Sequence, residues 1–391
     1  MTEAPDLRAE IRRELVIIAP LGEPQRRPRI EKVMTIAAGM NLDLRFWGWR
    51  REAGESADVP GLKEDRPLMT GGGRRSRLAR LMYPLWTWRV LVALLRERPA
   101  RVYCLGFETA LAAYLASKVY RLRYAFDDAD RLLLLFRLPR PVMGLLEALE
   151  QRVSRSAIRH VIPGHGRYPY RSPTMAVIRN MPAREQVTRA KALPVSRPEG
   201  GLIVYANGWI DPSRGSRLLA RAATRLAAVG SDIRFMIAAR TCTDADDLLD
   251  LPNVINLGSL PQVEALARCK AVDLVATFYD PAVPINRWAE PNKWGDCVSM
   301  RTPIIVNSEV RTASEFVDAG AAFATPFDDS DALVDLLLDL RANPGRLEVA
   351  RKALDDLAPD FVHFDDAMRP QLAAIFDDGR AAEVGRLDPG P

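Results

Sequence analysis

An alternation of strand-like and helix-like stretches runs once through the first half of the chain, breaks, and then starts again. Strand-like runs fall at 15–19, 43–47, 100–105, 123–126, 160–163 and 175–178, with helical stretches at 30–38, 108–120 and 142–156 among them. Residues 51–73, rich in charge and glycine, read as a loop. Strands separated by helices cannot pair as hairpins, so the expected product is a parallel, doubly wound sheet. Residues 183–201 carry Pro194, Pro198 and a glycine pair, the composition of a domain boundary. Beyond it the pattern restarts with strands at 201–206, 233–238, 254–257, 272–276 and 304–306, a turn at 211–215 and a helix at 216–229. A chain of 391 residues suits two such halves. Ligands of such sheets bind beyond the strand C-termini, so a cleft between the halves is the expected site.

The densest chemistry lies in Glu290-Pro291-Asn292-Lys293-Trp294-Gly295-Asp296. A Pro-Asn-Lys turn opens a short helix, and a Thr302-Pro303 step then leads into a β-branched run. Free N–H groups and the positive end of a helix dipole suit an anion, and Lys293 adds a full charge. The pattern predicts diphosphate binding, with Asp296 placed one turn further in to accept hydrogen bonds from sugar or ribose hydroxyls. An ordinary helix start with a solvated lysine is the alternative.

Composition narrows the compartment and the partners. Apolar residues make up 48% and charged residues 27%, as in a soluble globular protein. Cys104, Cys242, Cys269 and Cys297 lack paired spacing, which predicts a reducing compartment and no zinc site. With only His160, His165 and His363, a multi-histidine metal centre is not expected. Residues 1–14 are polar and the first apolar run is short, so neither a signal peptide nor a membrane span is predicted. Residues 1–195 hold 35 Lys and Arg against 20 Asp and Glu, whereas the remainder is acidic and the whole chain is only +5. The basic half predicts contact with a polyanion or an anionic membrane.

Several motifs in order resemble the two-Rossmann-domain (GT-B) glycosyltransferases that use nucleotide-sugar donors. Gly208-Trp209-Ile210-Asp211-Pro212-Ser213-Arg214-Gly215 resembles the family's Gly-Arg-Leu-Asp-Pro-x-Lys-Gly turn. Pro252 to Gly258 resembles its strand-to-glycine loop, Ala271 to Val275 its Ala-Asp-Val strand, and Pro291-Asn292-Lys293 with Asp296 its Pro-Asn-Lys-x-x-Glu. Looser matches are Tyr124 to Asp128, Leu149-Glu150-Gln151-Arg152 and Val177-Ile178-Arg179-Asn180. The resemblance implies an α/β chain with two Rossmann-like domains facing each other across a cleft. It implies an N-terminal acceptor- and membrane-binding domain over 1–190, a C-terminal nucleotide-sugar domain over 200–365, and a C-terminal helix and tail over 366–391.

Retaining members carry two glutamates eight positions apart, where this chain has Trp288 and Asp296; Trp209 stands for the usual phosphate-binding arginine and Arg214 for the lysine. The pattern resembles instead the inverting branch that includes the xanthan glucuronosyltransferase, and so implies an aspartate base in the N-terminal domain. An acceptor hydroxyl must lose its proton as it attacks the anomeric carbon. Asp127, Asp128 and Asp130 follow a strand at its ligand-facing end, with Asp127 the first choice because it aligns with the family's His-Asp pair; capping of the next helix is the alternative for at least one. The implied donor-binding set is Gly208, Trp209, Arg214, Gly258, Tyr279, Glu290, Asn292, Lys293, Asp296 and Glu315. Within it Arg214 is either a second diphosphate contact or a solvated turn residue, and Glu315 either a nucleotide contact or a plain helix-start glutamate. Asn180 reads as a residue that shapes its turn. No metal and no cofactor are expected, the nucleotide-sugar being a substrate.

Residues 74–91 account for part of the basic surplus. Arg74, Arg75, Arg77 and Arg80 precede a Leu-rich stretch with Trp86 and Trp88, the pattern of an interfacial segment that lies on anionic headgroups and is too short to span. Residues 132–136, flanked by Arg131, Arg137 and Arg140, are a second candidate, with packing against the sheet as the alternative. The expected partners are therefore a UDP-linked or similar sugar donor, a lipid-linked glycan acceptor and an anionic membrane surface, at the cytoplasmic face of the membrane. No nucleic acid is expected, since no motif for it is present. A nucleotide-sugar epimerase on the same fold and a non-catalytic relative in a polysaccharide assembly complex are the other readings.

Overall fold

The computed structural model describes residues 14–73, 81–135, 139–242 and 246–377. Two units emerge, the first built from the chain up to Ile162 with Tyr170–Ile178 and the chain end from Asp365, the second from Pro163–Pro169 and Arg179–Phe364.

The first unit is a parallel sheet of β1 (Glu14–Ala19), β2 (Asp43–Arg50), β3 (Leu62–Thr70), β4 (Arg101–Leu105), β5 (Arg123–Asp127), β6 (Arg159–Ile162) and β7 (Met175–Val177), in the order β3-β2-β1-β4-β5-β6-β7. β1 is an interior strand; Leu15 to Ala19 are all fully buried, as a strand covered on both faces requires. Helices α1 (Pro28–Gly39), α2 (Tyr83–Glu97), α3 (Phe107–Ala116) and α4 (Arg140–Ser156) link the strands. The small buried face of α3, Ala110, Ala112, Ala113 and Ala116, lets this helix approach the sheet closely. Trp47, Trp49 and Trp86 fill the core beside it, each contributing on the order of 2–3 kcal/mol through burial.

Strand β3 falls in the stretch read from sequence as a loop. Its alternation is hidden because it is a charged edge strand, and charged edges are how sheets avoid pairing with strangers. Its register on β2 is held by ion pairs, Arg45 with Glu64 and Arg50 with Asp65 at 2.7 Å.

The second unit repeats the plan with β8 (Leu202–Ile210), β9 (Ile233–Cys242), β10 (Val254–Asn256), β11 (Leu274–Thr277), β12 (Ile304–Asn307) and β13 (Ala322–Thr325), ordered β10-β9-β8-β11-β12-β13. Its helices are α5 (Arg184–Ala192), α6 (Ser216–Ala228), α7 (Gln262–Cys269), α8 (Asn292–Met300), α9 (Ser314–Asp318), α10 (Ser330–Ala342) and α11 (Gly345–Leu357). Helix α5 lies inside the stretch read as a linker, and the change of unit comes earlier, at Ile178. Gln186 accepts from the Ala183 N–H at 3.0 Å to start this helix, and the Lys270 ammonium donates to the carbonyls of Ala190 and Lys191 at its end. The last helix, α12 (Phe364–Phe376), packs on the first sheet, where Arg123 donates to the Ile375 carbonyl at 2.8 Å and Arg159 to Gln371 at 3.0 Å.

In both sheets the strand order reverses beside the first strand, between β1 and β4 and between β8 and β11. Those two reversals define where a ligand can reach backbone at the strand ends.

Candidate active site

At the second reversal, β8 ends in Asn207-Gly208-Trp209-Ile210, with Gly208 at φ +84°. The turn after it is self-supporting: the Trp209 indole N–H and the Ser213 hydroxyl both donate to Asp211, at 2.6 and 2.7 Å. Burial acts to raise the Asp211 pKa, but these hydrogen bonds outweigh it and hold the carboxylate below its ordinary value. Gly215, at φ +80°, sits so near Phe278 that a Cβ would come within 2.8 Å of the Phe278 Cβ. Only glycine meets both demands.

Helix α8 starts at the same place. Trp294 anchors it, its indole N–H donating to the Thr277 hydroxyl at 3.1 Å and its ring lying 5.2 Å from Phe316. The anchored helix puts the Lys293 ammonium over Gly208, 3.8 Å from where a Cβ there would stand. Burial, and then the Arg214 charge, lower the Lys293 pKa to about 8. Arg214 lies over the Tyr279 ring at 4.2 Å and donates to Asn286 at 3.2 Å. Tyr279 is fixed by a residue that sequence reasoning missed: Asn307 accepts from its N–H at 2.8 Å and donates to its carbonyl at 3.1 Å. Asn207, Trp209, Arg214, Tyr279 and Lys293 line one recess of about 10 Å³, room for about one water. Any larger anion lies over this recess rather than in it. Among the described residues, the buried side-chain oxygens of Asn207 and Asn292 have no hydrogen-bond partner.

Other expected donor contacts stand apart. Asp296 is buried at 4% exposure, and its charge acts on Tyr205, Cys269, Cys297 and Lys293. Its charge raises the Lys293 pKa against the larger lowering by burial. Glu315 is held by Arg179 through two hydrogen bonds of 2.8 and 2.7 Å, and Arg179 in turn stacks on Phe361. The Glu290 carboxyl, packed on Gly164, is raised to about 7 by burial despite Arg167 and Arg179. Asn180 donates to the Glu290 carbonyl at 2.6 Å, joining segments 110 residues apart. Gly258, at φ +64°, closes a turn in which Asn256 accepts from its N–H at 2.9 Å.

In the first unit the expected base, Asp127, ends β5. Asp127 has no exposed surface; Arg29 donates to both its oxygens at 2.9 and 3.1 Å and the Tyr103 hydroxyl adds a bond of 2.6 Å. Arg29 also donates to the Ile178 carbonyl at 3.0 Å, so this carboxylate ties α1, β4 and β5 together. Asp128 is buried as well, whereas Asp130 is exposed.

The segment read as interfacial divides. Arg74, Arg75, Arg77 and Arg80 lie outside the described residues. Trp86 is fully buried, its ring stacked 6.0 Å from Trp49, so its expected place at a membrane surface is corrected. Trp88 is 61% exposed, with Leu81 and Leu85 also exposed. In the second candidate segment Arg131 is buried on Glu150 at 2.7 Å and is not a surface cation; Phe136 and Arg137 lie outside the described residues. Among the described residues no helix is long and apolar enough to cross a membrane.

Two parallel α/β sheets, each reversing its strand order beside its first strand, make the fold that of the GT-B glycosyltransferases. The solved structures it resembles include a sucrose-phosphate synthase from Thermosynechococcus elongatus, at 10% identity and a TM-score of 0.66, covering 93% of this chain and 98% of that one. HepE from Anabaena, solved with UDP-glucose, is similar at 14% identity and a TM-score of 0.59, over 92% of this chain and 98% of its own. A putative UDP-N-acetylglucosamine 2-epimerase from Listeria monocytogenes has the same fold, at 13% identity and a TM-score of 0.59, over 93% and 95% of the two chains. No family model matches the sequence, and no curated protein matches it.

Proposed function

We propose that the chain is a glycosyltransferase that moves a sugar from a UDP-linked donor to a glycan hydroxyl, with inversion, the acceptor being lipid-linked at the cytoplasmic face of the membrane. The observation that carries this reading is Lys293 held over Gly208 at the start of an anchored helix, with Arg214 alongside. Diphosphate oxygens placed there receive the ammonium, the guanidinium and the helix amides, and the same charges stabilise the leaving group as the glycosidic C–O bond breaks. The reading invokes no metal. The UDP-glucose complex of a protein with this fold supports the choice of donor. The membrane component rests on the exposed Trp88, Leu81 and Leu85 beside the arginine cluster of the sequence.

Calorimetric titration with UDP and GDP tests the donor site. UDP should bind, and Lys293→Ala should weaken it about tenfold or more, roughly 1.4 kcal/mol. Equal binding by the two proteins sinks the site. The epimerase neighbour supports a second reading that shares the nucleotide: there, UDP-N-acetylglucosamine incubated alone is converted to its C2 epimer, visible by proton NMR.

A further inference from the structure

The connection from β11 to α8, residues 278–291, carries Tyr279 and Asn286, the two side chains that hold the Arg214 guanidinium. Its own regular structure is a single short turn, Pro284–Trp288, so its place has to be set from outside. Asn307 sets it. This last residue of β12 has no exposed surface. Its carboxamide grips the Tyr279 backbone as a neighbouring strand would, accepting from the N–H at 2.8 Å and donating to the carbonyl at 3.1 Å. The same amide nitrogen donates to Glu309 at 2.8 Å, and Glu309 accepts in turn from the Phe327 N–H at 3.1 Å. Backbone groups on both sides therefore fix which way the Asn307 amide points.

The order is passed outward to the cation. Asn286, 5% exposed, donates to the Asp280 carbonyl at 3.0 Å, which leaves its oxygen to accept from Arg214 at 3.2 Å. The Asp280 N–H donates to the Ser213 carbonyl at 2.9 Å, tying the connection to the turn that carries Arg214. The guanidinium lies over the Tyr279 ring at 4.2 Å, a contact that arginine makes with its flat face and that leaves its edge for ligand oxygens. It stands close enough to Lys293 to rank next to burial in lowering that ammonium's pKa.

We propose that Asn307 is a positioning residue for donor binding: by clamping Tyr279 it keeps the Arg214 guanidinium beside Lys293, and this second cation makes the site favour a nucleoside diphosphate over a monophosphate. The inference rests on the donor site proposed above. Two like charges repel, and a long side chain without its socket swings away from its neighbour into water. The two phosphates of a diphosphate each meet one cation, whereas a monophosphate presents a single group, so displacement of Arg214 falls harder on the diphosphate.

The test uses the full chain, calorimetric titration with UDP and UMP, and thermal melting of each variant. Wild type should prefer UDP, and Asn307→Ala should weaken UDP about tenfold while leaving UMP within about twofold. In an Arg214→Ala background the same substitution should change UDP affinity by no more than about twofold, because the group it positions is already gone. The pH dependence is a readout that general damage does not move. Lys293 is acted on by Arg214, Asp296, Cys297 and Cys269. With Arg214 displaced the ammonium stays charged to higher pH, so the alkaline fall in UDP affinity, which begins near about 8 in wild type, should begin higher in Asn307→Ala and at the same higher pH in Arg214→Ala. Wild type that binds UMP as tightly as UDP, equal losses with the two nucleotides, a loss undiminished without Arg214, or an unmoved alkaline fall each overturns the proposal and leaves the Lys293 site standing. Wild type that does not bind UDP defeats the donor reading and the proposal with it. If Asn307→Ala does not melt cooperatively, Tyr279→Leu decides, since it removes the ring beneath Arg214 and keeps the backbone bonds to Asn307. A UDP loss that vanishes in the Arg214→Ala background then supports the proposal, and an additive loss overturns it.

Discussion

The two sheets reverse their strand order in the same way, and the residues at the two reversals carry opposite chemistry. Beside β8 and β11 a lysine and an arginine sit over a glycine turn, and burial lowers the lysine pKa. Beside β1 and β4 a carboxyl sits over a glycine, and burial raises its pKa. One topology thus brings a buried lysine to one reversal and a buried carboxyl, that of Glu108, to the other. In each case burial is the largest influence and pushes the group toward its neutral form. A ligand of opposite charge would offset that push, whereas in a structural ion pair the partner already does so. Asp127 is the contrast within the first unit, since its charge is already answered by Arg29.

The sharpest way to break this comparison is to remove that answered charge. Asp127→Ala leaves Arg29 buried without its partner, and should destabilise the chain by about 3–5 kcal/mol. Thermal melting checks this. UDP affinity, measured below the new melting temperature, should be unchanged because Lys293 and its neighbours belong to the second unit. A variant that melts like wild type but fails only in transfer would support Asp127 as the base.

A smaller effect sharpens the cationic side. A diphosphate favours the charged form of Lys293, whose pKa in the free protein is about 8. Below that value the ammonium is already present and affinity is flat in pH. Above it, binding must take up a proton, so UDP affinity should fall up to about tenfold per pH unit, and calorimetry in buffers of different ionisation enthalpy should show proton uptake. Lys293→Arg should remove this slope, because arginine stays charged throughout. A slope unchanged in that variant assigns the titration elsewhere.

What the sequence made legible follows from distance along the chain. Lys293 was readable because its turn, its helix and the strand after it are contiguous. Which of Asp127, Asp128 and Asp130 is free for chemistry was not, since Asp127 is claimed by Arg29, 98 residues away, and Tyr103, 24 residues away. Asp296 is a related case: a helix start fixes its neighbours along the chain but not which side of α8 meets Tyr205. Glu108 left only a faint trace, a glycine two positions ahead at the junction of a strand and a helix, because Arg51 and Tyr83, which interact with its charge, arrive from other elements. Strand β3 was hidden because its partners are charges on β2, which hydrophobic alternation does not register.

The two units differ last in their surfaces, and the tryptophans of α2 separate packing from docking within one helix. Trp86 and Trp88 are two positions apart, so they point to different sides of the helix. Trp86 fills the core against Trp49, and Trp86→Ala should cost about 3–5 kcal/mol by leaving a cavity. Trp88 is 61% exposed, and Trp88→Ala should leave stability within about 0.5 kcal/mol. If α2 rests on a membrane, that mild substitution is the one that weakens co-sedimentation with vesicles containing phosphatidylserine, by several-fold at low salt, and raising the salt should weaken the wild type in the same direction. Equal sedimentation of wild type and Trp88→Ala removes the membrane from the proposed function while leaving both reversal sites as they are.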